Sequence, residues 1–371
     1  MNPQQDCIGS GTAAGRFGEL DPLARYTGFQ TPEIGPEKTF NPARATPEEL
    51  QQFGLPDRPD ADRQPLLRQL WDEVFDREIR LLRFEASRAL FDAIRYSILR
   101  RGLDVLSPTQ ARAETSSNWS GAYITANEGN HFLQVWGIWR TPDVLHVPPP
   151  PLQGRPGIDY VVANWIGLDG QRAYLNSSLP QIGTSSVLEH EGAPVRVDPW
   201  VQWWAVDDPH PKIVPIPITI QPGDHVACVL TVCGPHAVDC VITNLNPQHP
   251  DTKVVHIQAP PVPKDGVMVQ PSIAGATAEW VVERPMVLNT TTPNNLPDYG
   301  ETGFRRCIAV EGRGTGLFPL LAGMPQNLSG ARTIRMYDRL LDPARTVFTS
   351  MPHKIDDSTL RVRYGGFQPG P

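Results

Sequence analysis

The sequence predicts a mainly β chain, an antiparallel sandwich carrying an N-terminal helical extension, and three observations carry that expectation. Forty prolines and 31 glycines among 371 residues favour turns and extended segments over helices. From Asn118 onward, short runs of alternating apolar and polar residues follow one another without intervening helical periodicity. Eight of the nine tryptophans lie in that same stretch.

Taken in chain order, residues 1–59 are rich in Pro, Gly and polar residues and read as a mostly extended arm. Residues 60–114 read as a helical segment and linker. Asp62 stands where it can cap a helix and Pro65 suits the first turn. Apolar residues recur at Leu67, Leu70, Trp71, Val74, Phe75, Leu81, Leu82, Leu90, Ala93 and Ile94, as one long helix or two shorter ones. Arg100, Arg101 and Gly102 form a stop signal. The helix charges are mixed in sign, which reads as a solvated face with a core-packing stripe rather than a membrane surface. Residues 115–371 form the β domain. Its expected strands are Gly121–Thr125, Phe132–Trp139, Tyr160–Ile166, Trp200–Val206, Val214–Ile220, His225–Val232, Ala237–Thr243, Lys253–Gln258, Ala276–Val282, Phe304–Val310 and Leu360–Tyr364. Turn clusters such as Pro222-Gly223-Asp224 separate them.

Composition excludes several function classes. With 40% hydrophobic and 20% charged residues, the chain is not disordered throughout. A net charge of −7 gives no footprint for nucleic acid. No apolar run is long enough to cross a membrane as a helix. The first twenty residues lack a basic region followed by an apolar one, so no secretory signal is recognisable. Five cysteines are too few for a disulfide scaffold. Cys228, Cys233 and Cys240 are close in sequence, and free or buried thiols are expected there, with one disulfide within the trio as the alternative. No CxxC pair or HExxH occurs, so no metal and no cofactor is expected.

The common catalytic signatures are absent: there is no GxSxG, no Asp-Thr-Gly or Asp-Ser-Gly, and Gly312-Arg313-Gly314-Thr315-Gly316 lacks the lysine of a phosphate loop. What stands out is a concentration of aromatic, amide and carboxylate residues. In Trp200-Val201-Gln202-Trp203-Trp204, strand alternation puts Trp200, Gln202 and Trp204 on one face. In Ala278-Glu279-Trp280-Val281-Val282-Glu283, Glu279, Val281 and Glu283 share a face and Trp280 and Val282 the other. A glutamate facing the same way as a valine is a candidate for a raised pKa. Taken singly, each feature has a plainer reading: Trp-rich strands are core, and Glu283 is a strand-end surface charge.

Together and in order, NWSGA (118–122), VWGIWRTP (135–142), ANWIGLDG (163–170), LPQIG (179–183), WVQWW (200–204), QPGD (221–224) and AEWVVE (278–283) resemble the glutamic peptidases of the eqolisin family. A weaker match runs through LPDYGETGF (296–304) and a closing strand near residues 360–367. The resemblance implies a concanavalin-like sandwich of two bent sheets and an acid-acting, pepstatin-insensitive endopeptidase. It implies Gln181 and Glu283 as the catalytic pair, and Trp165, Asp169, Gln202 and Trp204 as substrate-binding residues. It also implies protein or peptide substrates, a monomer without nucleic-acid or membrane partners, secretion, and synthesis as a zymogen, with residues 1–114 as a propeptide or, equally, a permanent extension. Nine Arg stand against eight acidic residues between positions 60 and 101, a weak basis for an electrostatic prosegment.

Three departures bear on the chemistry. Gln202 stands where the family usually has an acid, Ser185 where it often has Asp, and Arg284-Pro285 where Asp-Phe usually follows the catalytic Glu. Carboxylates are lost and a cation gained, so Glu283 is expected to titrate lower than in typical members. The competing function is a non-catalytic sandwich that binds glycan or peptide through exposed Trp165, Trp200 and Trp204. It requires open tryptophan faces and is indifferent to Glu283.

Overall fold

A computed structural model of the chain describes residues 21–28, 39–82, 84–98, 113–149, 154–171, 178–208, 212–313, 323–338 and 347–365. The helices are α1 (Pro47–Gln52), α2 (Pro65–Phe75) and α3 (Arg88–Ala93). The main strands are β1 (Trp119–Thr125), β2 (His131–Arg140), β3 (Tyr160–Leu168), β4 (Leu179–Leu188), β5 (Arg196–Trp204), β6 (His225–Gly234), β7 (Ala237–Asn244), β8 (Asp251–Gln258), β9 (Thr277–Glu283), β10 (Glu301–Gly312), β11 (Arg332–Asp338), β12 (Val347–Lys354) and β13 (Leu360–Tyr364).

These strands make one antiparallel ladder that folds over itself into two layers. The first layer runs β8-β7-β6-β2-β10. The second runs β11-β1-β9-β3-β4-β5. Strands β13 and β12 connect β10 to β11 and so join the layers. Period-2 alternation sends Trp139, Val226, Cys228, Leu230 and Ile242 of the first layer against Ile166, Ile182, Val201, Trp203 and Trp280 of the second, in one buried core. Indole hydrogen bonds tie the layers: Trp139 Nε1 donates to Thr184 Oγ1 at 2.9 Å, and Trp280 Nε1 to the Trp136 carbonyl at 2.7 Å. This is the β-sandwich that the sequence predicted.

Both outer faces are also covered. On the first layer, Leu67, Leu70, Trp71, Val74 and Phe75 of α2 pack with Leu50 and Phe53 onto Trp136, Ile138, Val229, Val241, Val254 and Val310. Trp71 is completely buried and its Nε1 donates to the Pro56 carbonyl at 3.0 Å. Glu73 of α2 pairs with Arg305 and Arg306 of β10. On the second layer, Ile94, Tyr96 and Ile98 pack onto Trp119, Trp165, Leu179 and Trp200.

The extension differs from its expected form. The arm contains a helix, α1, with a Thr46–Glu49 capping box and Pro47 in its first turn. Helix α2 starts at Pro65, but Asp60 rather than Asp62 accepts the adjoining backbone N–H groups, of Asp62 and Arg63. The apolar run does not continue as helix: Arg80–Leu82 leaves as a short strand parallel to β8, and α3 follows. Leu81 thus joins the sheet edge instead of a helical stripe. The stop at Arg100–Gly102 lies outside the described residues. The expected strand over 214–220 shrinks to Val214–Pro215. No helix among the described residues is long and apolar enough to cross a membrane.

Burial of α2 makes residues 40–82 part of the folded core. Trp71→Ala is expected to lower the unfolding free energy by about 3–5 kcal/mol, measured by denaturant titration. A chain beginning at residue 113 is expected to expose the Trp136 and Val229 face and aggregate on size-exclusion chromatography.

Candidate active site

The outer face of the second layer is organised by register into three rows. Glu283 of β9 stands opposite Ala163 of β3, which faces Ser185 and then Asp198. Val281 continues through Trp165, Gly183 and Trp200, and Glu279 through Gly167, Gln181 and Gln202. The alternation read from sequence is therefore realised: Glu279, Val281 and Glu283 point to this face while Trp280 and Val282 enter the core. Trp200 and Gln202 share the face too, with Trp204 half-buried at its margin.

Glu283 is fully buried, and neutral N–H donors hold both of its oxygens. Trp165 Nε1 donates to Oε2 at 3.0 Å and Asn118 Nδ2 to Oε1 at 3.3 Å. Asn118 is in turn fixed by Ser116, whose Oγ donates to Asn118 Oδ1 at 3.0 Å and accepts the Trp119 N–H at 3.2 Å. Donors of this kind stabilise the ionised form of a carboxyl that burial would otherwise neutralise.

Trp165 lies between the two rows that carry the expected pair. One edge of its indole reaches Glu283 through Nε1, while Cζ3 on the opposite edge lies beside Gly167, the residue paired with Gln181. Two glycines make this placement possible. A Cβ at Gly183 would sit 2.5 Å from Trp165 Cβ, and one at Gly167 would sit 2.9 Å from Leu179 Cδ1 and 3.1 Å from Trp165 Cζ3. Trp119 meets Trp165 edge-on, with ring centroids 4.9 Å apart.

Gln181 is completely buried. Its Nε2 donates to Gln202 Oε1 at 2.8 Å, and its Oε1 has no hydrogen-bond partner among the described residues. An amide nitrogen has two hydrogens, and the bond to Gln202 uses one of them. Gln181 and Glu283 thus share a face on opposite sides of one indole, without touching each other.

The remaining expected residues divide. Asp169 is buried in a left-handed turn (φ 66°), where its carboxylate accepts the N–H groups of Ala274, Gly275 and Ala276 at 2.6–3.0 Å. Its charge is committed to backbone. Burial nevertheless outweighs those donors and pushes its carboxyl above the ordinary aspartate value. Gln202 positions Gln181, and Ser185 Oγ accepts from Trp200 Nε1 at 2.9 Å. Glu279, not assigned a role from sequence, is engaged by the Gly170 N–H at 3.0 Å and the Thr277 hydroxyl at 2.5 Å. Asn118 was visible in NWSGA but carried no chemical signal of its own. Tyr96 came as a surprise: it reaches the same face from the extension and donates to Asp198 Oδ2 at 3.1 Å. Burial, with Asp198 adding to it, holds the Tyr96 phenol well above its ordinary value and therefore protonated.

Arg284, the departure next to Glu283, has its own partners in the structure. Arg284 pairs with Asp338 and donates to the Ser117 carbonyl, while its backbone N–H donates to the Asn118 carbonyl. The added cation brings its own carboxylate and clamps the turn that presents Asn118.

Comparison with known proteins gives one sequence-family match and several structural ones. The model of the peptidase A4 family matches residues 117–355. No curated protein matches the sequence. Scytalido-glutamic peptidase with a transition state analog inhibitor is 17% identical with a TM-score of 0.46, the match covering 67% of this chain and 98% of that one. SCP-B, a member of the eqolisin family, in complex with the tripeptide Ala-Ile-His is 15% identical with a TM-score of 0.43, covering 67% and 98%. Aspergilloglutamic peptidase from Aspergillus niger is 17% identical with a TM-score of 0.40, covering 55% and 99%.

Asp169 separates substrate binding from architecture by experiment. Asp169→Asn turns an amide N–H towards backbone donors, and is expected to destabilise the fold by about 1–3 kcal/mol while leaving KM unchanged. A carboxyl raised in the fold holds its proton more tightly there than in the unfolded chain, so its contribution grows as pH falls through the carboxylate range. The stability gap between wild type and Asp169→Asn is therefore expected to widen on acidification, read by urea unfolding at two pH values.

Proposed function

The chain belongs to the peptidase A4 family, the glutamic peptidases known as eqolisins, and from that premise we propose that it cleaves peptide bonds with Glu283 as general base and acid and Gln181 as oxyanion donor. The observation that carries this reading is the Trp165 indole, which separates a buried carboxylate held by neutral donors from a buried amide with an unused N–H. The two groups stand in rows four residues apart along β3, on either side of that indole.

In this mechanism Glu283 takes a proton from water as the water oxygen attacks the scissile carbonyl carbon. The negative charge that develops on the carbonyl oxygen accepts the second N–H of Gln181. Glu283 then returns the proton to the leaving nitrogen, the C–N bond breaks, and the carboxylate is regenerated. Gln202 Oε1 holds the Gln181 amide in the orientation this requires. Trp165, Trp200 and Trp204 supply apolar walls for substrate side chains. With no aspartate pair of the pepsin type, the activity is pepstatin-insensitive, and the acid-favoured Asp169 suits work at low pH.

The N-terminal extension has two tasks in this proposal. Residues 40–82 are a permanent part of the fold, because α2 packs on the layer remote from Gln181 and Glu283. Residues 94–98 cover the site face, where Tyr96 is held by Asp198 and the Tyr96–Ser97 strand pairs with Met286–Val287. This segment must leave before substrate enters, which makes the chain a zymogen whose cleaved pieces stay associated. The alternative role as a glycan binder is indifferent to Glu283, and gives no use to a buried carboxylate held by Trp165 and Asn118.

Hydrolysis of denatured protein across acid pH, with pepstatin present, tests the assignment. Glu283→Gln is expected to lower kcat by about 10²–10⁴-fold and Gln181→Ala by about 10²–10³-fold. Glu279→Gln should reduce stability and keep activity within about tenfold, because its carboxylate is tied to Gly170 and Thr277. Loss of activity in Glu279→Gln with retention in Glu283→Gln would transfer the base role to Glu279.

A further inference from the structure

On the first layer, three side chains capable of binding a metal converge from three neighbouring strands. Cys233 lies at the end of β6, Asp239 in β7 and His256 in β8. Asp239 is paired with His256 on one side and with Thr231 on the other. This row follows directly after Val229, Val241 and Val254, the row covered by α2, so it faces the same way but lies beyond the helix. Cys233 joins it through a β-bulge: the β6–β7 register shifts between Val232 and Gly234. Bulges of this kind re-aim a side chain, and here the result is a thiol on the outer face beside Asp239.

The donor atoms form a tight triangle. Cys233 Sγ is 3.6 Å from Asp239 Oδ1 and 3.9 Å from His256 Nδ1, and Nδ1 is 2.7 Å from Oδ1. Both neighbours approach the same ring nitrogen, which rules out a nucleophilic triad, since a triad uses one imidazole nitrogen for the thiol and the other for the carboxylate. The triangle has the size of a metal coordination face. A tetrahedral ion with bonds of about 2.3 Å to sulfur and about 2.0–2.1 Å to nitrogen and oxygen spaces its donors about 3.3–3.6 Å apart. Closing the triangle around an ion needs shifts of a few tenths of an ångström, with the short His–Asp contact opening. All three residues are half-buried.

We infer that Cys233, Asp239 and His256 form a binding site for a divalent cation of the zinc class. One soft sulfur, one imidazole and one carboxylate suit zinc better than magnesium or calcium, which prefer oxygen sets. The charges match: a thiolate and a carboxylate balance two positive charges beside a neutral imidazole. Binding releases the thiol proton, and the imidazole moves its own proton to Nε2, so metal affinity rises with pH in the neutral range. The ion staples β6, β7 and β8 at the row next to the one that α2 covers. The site lies on the opposite layer from Gln181 and Glu283 and stands independently of peptide hydrolysis.

Titration of the full-length reduced chain with cobalt(II) at neutral pH is the test. One equivalent is expected to give a thiolate-to-metal charge-transfer band that zinc displaces, and zinc alone is expected to raise Tm. Cys233→Ser should abolish both signals. Asp239→Asn and His256→Gln should each weaken cobalt binding by at least about 100-fold. Melting in metal-free buffer keeps the comparison to folded variants. Because Cys228, Cys240 and Cys307 are fully buried, a band that survives Cys233→Ser would place the metal elsewhere and overturn the inference. A wild-type chain without saturable binding would also overturn it, whatever its peptidase activity.

Discussion

Burial of the Glu283 carboxylate is the constraint that the second layer is built to satisfy. A charge removed from water costs several kcal/mol unless hydrogen bonds replace its solvation. The replacements here are an indole and an amide, each of which imposes its own requirement. Trp165 reaches Oε2 only because Gly183 and Gly167 leave its ring room across two strands. Asn118 reaches Oε1 only because Ser116 fixes its amide and Arg284, paired with Asp338, holds the turn. Seven positions scattered along the sequence thus serve one carboxylate.

The same strand links this constraint to the stability of the fold. On β9 every second residue enters the core and the others face the site, so Trp280 ties the layers through the Trp136 carbonyl while Glu283 sits one pleat away. Period-2 alternation was legible in the sequence because apolar and polar residues alternate cleanly there. Strand β4 was not, since Leu179–Leu188 is assembled from Pro, Gln, Gly, Thr and Ser, residues whose strand character comes from their neighbours. Strands β11 and β12, at 332–338 and 347–354, are not legible in the sequence either: β11 takes its place from pairing with the distant β1, and β12 from pairing with β11 and β13 beside it. In the extension, helical periodicity was read through to Ile94, yet the sheet edge at β8 claims Arg80–Leu82 and breaks the helix. The capping box at Thr46 was a local signal that the arm's proline content obscured.

Which residues meet at a site depends on register, and register is a property of pairs of strands. Motif order brought out Gln181 and Glu283, but their separation by one indole follows only from the pairing of β3 with both β4 and β9. The Cys233, Asp239 and His256 triangle makes the same point. Its members are spaced 6 and 17 residues apart, matching no linear metal motif, and a bulge decides the direction of the thiol. Asp169 shows the converse: its place in a motif suggested substrate contact, and the turn around it supplies three backbone donors that occupy its carboxylate.

The departures from the family pattern also become coherent when charge is followed across the face. Gln181 needs an acceptor that fixes its amide, and Gln202 Oε1 provides one without a charge. Ser185 gives up a carboxylate and instead anchors Trp200, the wall of the middle row. The acids that remain are matched individually: Asp198 with Arg196 and Tyr96, Asp338 with Arg284, and Glu279 with the Gly170 N–H and the Thr277 hydroxyl. Of the carboxylates facing these rows, Glu283 alone is described with an indole and a side-chain amide as its donors. Neutral donors stabilise an anion, and in the proposed mechanism that anion takes a proton from water and returns it within one catalytic cycle. Where the family's acids are missing, Glu283 is held by the Trp165 indole and the Asn118 amide, and Arg284 holds the turn that carries Asn118.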